Sequence, residues 1–390
     1  MKFAHIADCH VGGWREEALR KLSIDSLKKV IDVCIQENVA FLLISGDLFN
    51  TSLPQIDYIK EVASLFNMLK EADISIYIIP GSHDYSPSGK TMLEVFEHAG
   101  LVHNVMKFED GKLQFTLDKT GTKITGLYGR RSGLDALDYA TLQKEHLESE
   151  KGFKIFMFHT TLEEFKPKDF ENVEGTSYSS MPKTFQYYAG GHVHYRFDIA
   201  KEGYGKIVYP GPVFPNNFKE LEELKCGGMC IVDDKLNVRR IPLQLKEVVS
   251  LHCDVSNKTA AEARAFLEES LRNQEVKEKI VTLRISGELS SGKISDLQLH
   301  TLGEHLEMYA LLQNTHMLST KEFEAITPKG DTLEEIEEEI LKNLKTPEHF
   351  SDFLKTFMLV LNDEKHEGER VGDFEERLLI NLKTLFHETP

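Results

Sequence analysis

Five short apolar runs in the first half of the chain each end at a residue that can bind a metal ion or transfer a proton. Such a run is typical of a buried strand, and open α/β sheets place their chemistry at the carboxyl ends of their strands. The central run, FLLIS, leads to Asp47. The residues that follow the other four runs are Asp8 with His10, the GSHD turn containing Ser82, His83 and Asp84, then His159, and His192 with His194. This ordered set predicts a metal-dependent hydrolase on an α/β fold.

Amphipathic helical segments alternate with these runs. Apolar residues recur at helical spacing over residues 15–38 and 54–72, so a strand, helix, strand, helix order is expected. Between residues 101 and 128 short alternating runs broken by glycines predict antiparallel strands. Residues 134–149 are predicted to form one polar helix.

A length of 390 residues favours two or three domains. Metal-ligand residue types become rare near residue 248, so the first domain is predicted to span residues 1–248. Residues 249–327 are predicted to form a small α+β domain whose helices include residues 294–306. Residues 328–390 are predicted to form helices that pack on each other or on the body, or that dock a partner.

The net charge of −17 argues against a broad basic face for nucleic acid. Residues 331–390 contain 16 acidic and 7 basic side chains, so the rest of the chain is only mildly acidic. Affinity for DNA is then expected to depend on local patches or on a partner. No apolar run approaches the roughly 18 residues of a membrane helix, and we expect a cytoplasmic protein without membrane contact.

The residue types indicate a two-metal site. Two adjacent divalent ions need a carboxylate that bridges them, and Asp47 at a strand end suits that role. Asp8 and His10 are expected to point to one side because side chains alternate along a strand, and His192 and His194 have the same spacing. Mixed imidazole and carboxylate ligands favour manganese, iron or zinc. A metal-activated water would then hydrolyse a phosphodiester, with His83 protonating the leaving oxygen and Asp84 as its orienting acid.

The segments MKFAHIADCHVG, FLLISGDLFN, GSHD, YYAGGHVHYR and IVYPGP resemble those of the calcineurin-like metallophosphoesterases. Within that family they are similar to the SbcD-type nuclease subunit, the meiotic-recombination-eleven homologue of double-strand-break repair. The resemblance implies a two-sheet β-sandwich flanked by helices with two manganese ions, a small capping domain at residues 249–327, and C-terminal helices that bind an SMC-like ABC ATPase. It also implies a homodimer that acts on DNA as an exonuclease or endonuclease.

The resemblance also implies roles for individual residues. Asp8, His10, Asp47 and His194 would hold one ion, Asp47, His159 and His192 would hold the other, and His83 would be the catalytic histidine. Ser82 stands where the family usually has an asparagine ligand, so the second ion is expected to be held more weakly. Many members carry histidine where Asn50 stands, a position associated with handling the DNA strand.

Arg130, Arg131, Lys90 and Tyr85 are candidate DNA contacts because positive side chains on loops near the ions would neutralise the backbone. Two rival functions stay open. One is a phosphodiesterase or phosphatase for small nucleotides with the same core. The other is a weakly active or inactive scaffold subunit in which the second ion is not bound because Ser82 replaces the usual asparagine ligand.

Overall fold

The computed structural model describes residues 1–85, 91–129, 135–167 and 175–321, together with residues 357, 374, 377–381 and 383. Three predicted DNA contacts, Lys90, Arg130 and Arg131, lie outside these residues, as does nearly all of the predicted helical segment 328–390. Among the described residues, no helix has the length and apolarity needed to cross a membrane.

The strands form two six-stranded sheets, one three-stranded sheet and one two-stranded ribbon. In chain order the strands are β1 (Lys2–Ile6), β2 (Phe41–Ser45), β3 (Ser75–Ile79), β4 (His103–Asn104), β5 (Phe108–Glu109), β6 (Lys112–Leu113), β7 (Thr116–Leu117), β8 (Lys123–Gly126), β9 (Lys154–His159), β10 (Tyr187–Gly191), β11 (Phe197–Lys201), β12 (Gly205–Tyr209), β13 (Gly227–Asp233), β14 (Val238–Leu243), β15 (Val248–Asp254), β16 (Ile280–Leu289) and β17 (Ala310–Thr320). The α-helices are α1 (Glu17–Gln36), α2 (Ile56–Glu71), α3 (Met92–His98), α4 (Asp135–Thr141), α5 (Glu145–Ser149), α6 (Phe218–Leu224) and α7 (Ala260–Arg272).

The two large sheets form a sandwich. The first has the order β14-β13-β1-β2-β3-β4 and the second β11-β12-β10-β9-β8-β7. Along β2, Phe41 and Leu43 face a core shared with Ile155 of the second sheet, whereas Leu42 and Ile44 face the core formed with α1 and α2. Both faces of the strand are therefore covered, which is why its sequence is a continuous apolar run. The predicted two-sheet sandwich flanked by helices is confirmed.

The smaller sheet has the order β15-β16-β17, with all pairs parallel, and α7 packs on it. Apart from Val248, the first residue of β15, it lies within the predicted α+β domain, whose limits of 249–327 remain a prediction. A separate apolar cluster joins this sheet to the sandwich. In that cluster Trp14 and Leu221 pack with Ile280 and Leu312.

Three local predictions were wrong. Residues 294–306 form three short 3-10 helices, because Gln298 and Gly303 adopt left-handed backbone conformations that interrupt a longer helix. Residues 134–149 contain the two helices α4 and α5. Strand β4 runs parallel to β3, since α3 carries the chain back across the sheet, whereas β5 with β6 and β7 with β8 are antiparallel as predicted.

Candidate metal centre

The site lies where the carboxyl ends of strands from both large sheets meet. Strands β1, β2 and β3 of the first sheet lead to Asp8 with His10, to Asp47, and to Ser82 with His83; strands β9 and β10 of the second lead to His159 and to His192 with His194. The carboxylate of Asp8 accepts the backbone N–H of His192 at 2.9 Å, which ties the two sheets together at this edge.

The described residues give three groups of candidate ligands whose atoms lie within 4.8 Å of one another. The groups are Asp8, His10 and His194; His10, Asp47 and His83; and Asp8, Asp47 and His159. Asp8 and Asp47 each belong to two groups, and one oxygen of Asp47 lies 3.7 Å from His10 Nε2 and 3.2 Å from His159 Nε2. His192 is in none of the three groups, although its ring centroid lies 5.1 Å from that of His159.

Two observations fit divalent cations here. The Nε2 atoms of His10 and His194 lie 3.1 Å apart, a separation at which the two rings share either a proton or a cation. Buried Nε2 of His159 makes no well-aligned hydrogen bond to the described residues, although an Asp47 oxygen lies 3.2 Å away. Buried polar atoms are normally satisfied, and an imidazole nitrogen that is not satisfied is a good ligand for a transition metal.

The backbone at the ligands is strained. Asp8, His10, Asp47 and His192 have φ values of 53°, 43°, 52° and 88°. Strand β1 ends at Ile6, so left-handed turns rather than strand alternation aim Asp8 and His10 at the site, which corrects the predicted reason for their common direction. Each such residue costs about 1 kcal/mol or more, and strain of this kind collects at functional sites.

Glycines let the ligand-bearing loops approach closely. A Cβ on Gly81 would lie 2.2 Å from Asp47 Oδ1, and one on Gly46 would lie 2.2 Å from His159 Nδ1. A Cβ on Gly191 would lie 2.0 Å from the carbonyl oxygen of Ser45. No side chain fits at these positions without moving a ligand or the backbone beside it.

Burial and neighbouring charges shift the pKa values of the ligands. Burial alone would raise the pKa of Asp47, but His159, His10 and His83 hold it well below its usual range. Burial lowers the pKa of His10 to about 3, as it does for His192. Burial would also lower the pKa of His159, but the Asp47 carboxylate raises it to about 9. The neighbouring histidines thus favour the charged form of Asp47, and the Asp47 carboxylate favours the protonated form of His159.

Asp8 and His194 are also shifted. Burial raises the pKa of Asp8 to about 6, against the opposing charge of His194. Burial would lower the pKa of His194, but its hydrogen bond to Glu220 raises it to about 9.

The predicted pairing of Asp84 with His83 was wrong. The Asp84 carboxylate accepts the backbone N–H groups of Leu48, Phe49 and Gly81 at 3.1–3.2 Å. It is directed away from His83 because three buried donors need an acceptor. The Nδ1 atom of His83 instead lies 2.7 Å from the carbonyl oxygen of Asn50.

Ser82 lies beside Asp47, and the backbone N–H of Tyr85 donates to the Gly81 carbonyl in the same turn at 3.1 Å. Ser82 Oγ is 3.4 Å from Asp47 Oδ2, so its hydroxyl reaches the shared carboxylate. The Tyr85 ring stacks on Tyr128 with centroids 5.9 Å apart.

Residues that orient the ligands were not found from the sequence. Glu220 Oε1 lies 2.8 Å from His194 Nδ1, and the carbonyl oxygen of Ser45 lies 2.8 Å from His159 Nδ1. The only sequence signal near Glu220 is Asn217 three residues earlier, a pattern that indicates a helix start and says nothing of His194.

Residues 1–196 match the family model described as calcineurin-like phosphoesterase. The DNA double-strand break repair protein Mre11 of Archaeoglobus fulgidus is 27% identical over 247 residues, which cover 57% of this chain and 52% of that protein. This chain therefore spans about half the length of that relative. Proteins of the same name from Sulfolobus acidocaldarius and Saccharolobus solfataricus are 24% and 23% identical, over 93% and 98% of this chain and 95% and 100% of theirs.

Proposed function

The chain belongs to the calcineurin-like phosphoesterase family, and from this premise we propose that it is a manganese-dependent nuclease that hydrolyses DNA phosphodiester bonds. The observation that carries the proposal is the position of Asp47, whose carboxylate belongs to two groups of candidate ligands. A carboxylate shared in this way is what a pair of catalytic metal ions requires.

Two sets of ligands are proposed. Asp8, His10, Asp47 and His194 hold the first ion, and Asp47, Ser82, His159 and His192 hold the second. The mixture of imidazole and carboxylate donors suits manganese better than magnesium or calcium. When bound, the ions supply positive charge beside the phosphate and lower the pKa of water.

The chain's own residues hold the substrate and move protons. We assign to His83 the donation of a proton from Nε2 to the leaving oxygen, since Nδ1 is engaged by the Asn50 carbonyl. The Ser45 carbonyl fixes the ring of His159 through Nδ1, which leaves Nε2 for the ion. The loop of Gly81, Ser82 and His83 is held against Asp47 by the His83 backbone N–H at 2.7 Å.

DNA is the proposed substrate because the relatives are named for DNA double-strand break repair. Tyr85, Arg130, Arg131 and Lys90 are proposed to contact the strand near the ions. Residues 328–390, predicted to be helical, are proposed to bind an SMC-like ABC ATPase of the SbcC type. A homodimer is proposed as well, supported by Leu53 and Ile56, which are each 81% exposed.

A phosphodiesterase for small nucleotides is the second candidate, favoured by one cavity. A cavity of about 360 Å³ lies beside His192 and His194 and is also lined by Tyr195, Asn217 and Leu224. This volume is large enough for a single nucleotide unit.

The test is cleavage of end-labelled duplex and single-stranded DNA with manganese, comparing the wild type with Asp47→Ala and His83→Ala. We expect cleavage by the wild type alone. Equal cleavage by all three proteins would overturn the site assignment. Turnover of cyclic nucleotides without DNA cleavage would favour the second candidate.

A further inference from the structure

We propose that Glu220 is a positioning residue that holds His194 in the orientation needed to bind one of the two ions. The carboxylate lies on helix α6, outside the strand ends that carry the other site residues. The inference rests on the proposed function only in taking His194 as a metal ligand.

The contact fixes both the proton and the ring of His194. A carboxylate only accepts hydrogen bonds, so Nδ1 of His194, 2.8 Å from Glu220 Oε1, carries a proton. The Nε2 atom then faces the site, 3.1 Å from His10 Nε2 and 3.8 Å from Asp8 Oδ1. These are the other two members of its ligand group. A carboxylate behind a ligating imidazole fixes its tautomer and raises its basicity.

The Glu220 carboxylate is itself held in place. Its Oε2 accepts the backbone N–H of Asn216 at 2.7 Å, and its own backbone N–H donates to Asn217 Oδ1 at 3.0 Å. Both oxygens are thus engaged, and the side chain is only 15% exposed. Little freedom remains for the carboxylate to turn away from His194.

Helix α6 is fastened on its other side to the smaller sheet. Leu221 is fully buried in the cluster that contains Trp14 and Ile280. Glu222 pairs with Arg284 of β16, whose Nε lies 3.3 Å from Glu222 Oε1, and the Arg284 guanidinium lies over the Phe218 ring at 5.2 Å. Helix α6, which positions His194, is therefore anchored by the smaller sheet.

The effect of removing the carboxylate should be confined to one ion. His194 belongs to the group with Asp8 and His10 and is absent from the group with Asp47 and His159. Loss of a carboxylate behind a metal-binding histidine typically weakens metal affinity about 10- to 100-fold. One of two manganese sites should weaken by this factor, and the other should keep its affinity.

The test is a titration of the full chain with manganese. Binding is measured by electron paramagnetic resonance of free Mn²⁺ and by calorimetry. The variants are Glu220→Ala, Glu220→Asp, whose shorter side chain keeps the charge but draws back from His194, and Glu220→Gln, which keeps an acceptor for Nδ1. The control is Glu223→Gln, on the same helix, whose side chain is 58% exposed beside Lys219.

We expect Glu220→Ala and Glu220→Asp to lose about 10- to 100-fold in affinity at one site, Glu220→Gln to retain most of it, and the control to match the wild type. If Glu220→Ala does not fold, the comparison is made between the wild type and Glu220→Asp. Wild-type affinity at both sites in a folded Glu220→Asp protein overturns the inference.

DNA cleavage measured on the same samples separates the two proposals. A wild type that binds two manganese ions but cuts no DNA overturns the nuclease assignment and leaves the role of Glu220 standing. A wild type that cuts DNA, with Glu220 variants that bind manganese normally, overturns the role of Glu220 alone. A wild type that binds no manganese overturns both.

Discussion

The backbone N–H of His83 donates a hydrogen bond of 2.7 Å to Oδ1 of Asp47, so the loop that follows β3 is attached to the carboxylate shared by two ligand groups. Because this contact uses the main chain, it does not depend on the imidazole. The structural and chemical contributions of His83 can therefore be separated by mutation.

His83→Ala should keep both manganese ions and lose catalysis. Removing a general acid typically costs about 100- to 10,000-fold in rate, whereas the N–H to Asp47 remains in the variant. The measurements are manganese stoichiometry and single-turnover DNA cleavage, with the exposed His316→Ala as control. Loss of an ion would instead identify His83 as a ligand, as its group with His10 and Asp47 would allow.

Asp47→Ala should abolish both metal sites at once. Its carboxylate shares one ligand group with His10 and another with His159, and a single one of its oxygens lies 3.7 Å from His10 Nε2 and 3.2 Å from His159 Nε2. Calorimetry should find no tight manganese binding, whereas Asp73→Ala at the surface should bind two ions. A variant that keeps one tight ion would show that Asp47 serves a single site.

Most of the candidate ligands could be predicted because each follows its own strand, and each strand has a recognisable apolar sequence. Asp8, His10, Asp47, His159 and His194 each follow a buried apolar run, and the carboxyl ends of such strands meet in α/β folds. The sandwich was predictable for the same reason, with the family resemblance supplying the pairing of its sheets.

The rest depends on contacts between distant parts of the chain. Glu220 on α6 contacts His194, which lies 26 positions earlier in the chain, and the Ser45 carbonyl reaches His159 across the two sheets. Adjacency in sequence was misleading for Asp84, since the turn directs neighbouring side chains to different partners. A contact made by a backbone carbonyl, or between segments far apart in the chain, cannot be identified from the residue types in the sequence.

Gly81→Ala should damage the metal site by steric contact alone. The added Cβ would lie 2.2 Å from Asp47 Oδ1, so the carboxylate or the loop must move. We expect at least about a tenfold loss of manganese affinity, comparable to other changes that disturb ligand orientation. Gly228→Ala is the matched control, because its Cβ meets atoms no closer than 3.6 Å. Equal affinity in the two variants would contradict the steric argument.

Ser82→Asn should strengthen binding of the second ion. Ser82 Oγ reaches Asp47 Oδ2 at 3.4 Å, and an amide carbonyl is a better neutral ligand than a hydroxyl. Manganese titration should show one dissociation constant falling while the other is unchanged, with the exposed Ser64→Asn as control. An unchanged pair of constants would remove Ser82 as the cause of unequal sites. Fewer than two ions in the wild type, with two in the variant, would support the scaffold function.

Asp84→Ala should lower the stability of the fold. The effect should not be limited to proton transfer by His83, which Asp84 was predicted to orient. The substitution leaves the N–H groups of Leu48, Phe49 and Gly81 without their acceptor, and each unsatisfied buried donor costs about 1–3 kcal/mol. Chemical denaturation should show a loss of about 3 kcal/mol or more, against a small change for Asp234→Ala, whose carboxylate is largely exposed. If Asp84 oriented His83 instead, the variant would lose turnover while keeping wild-type stability. A parallel fall in stability and manganese affinity is the expected pattern, because the freed backbone of residues 46–49 carries Asp47.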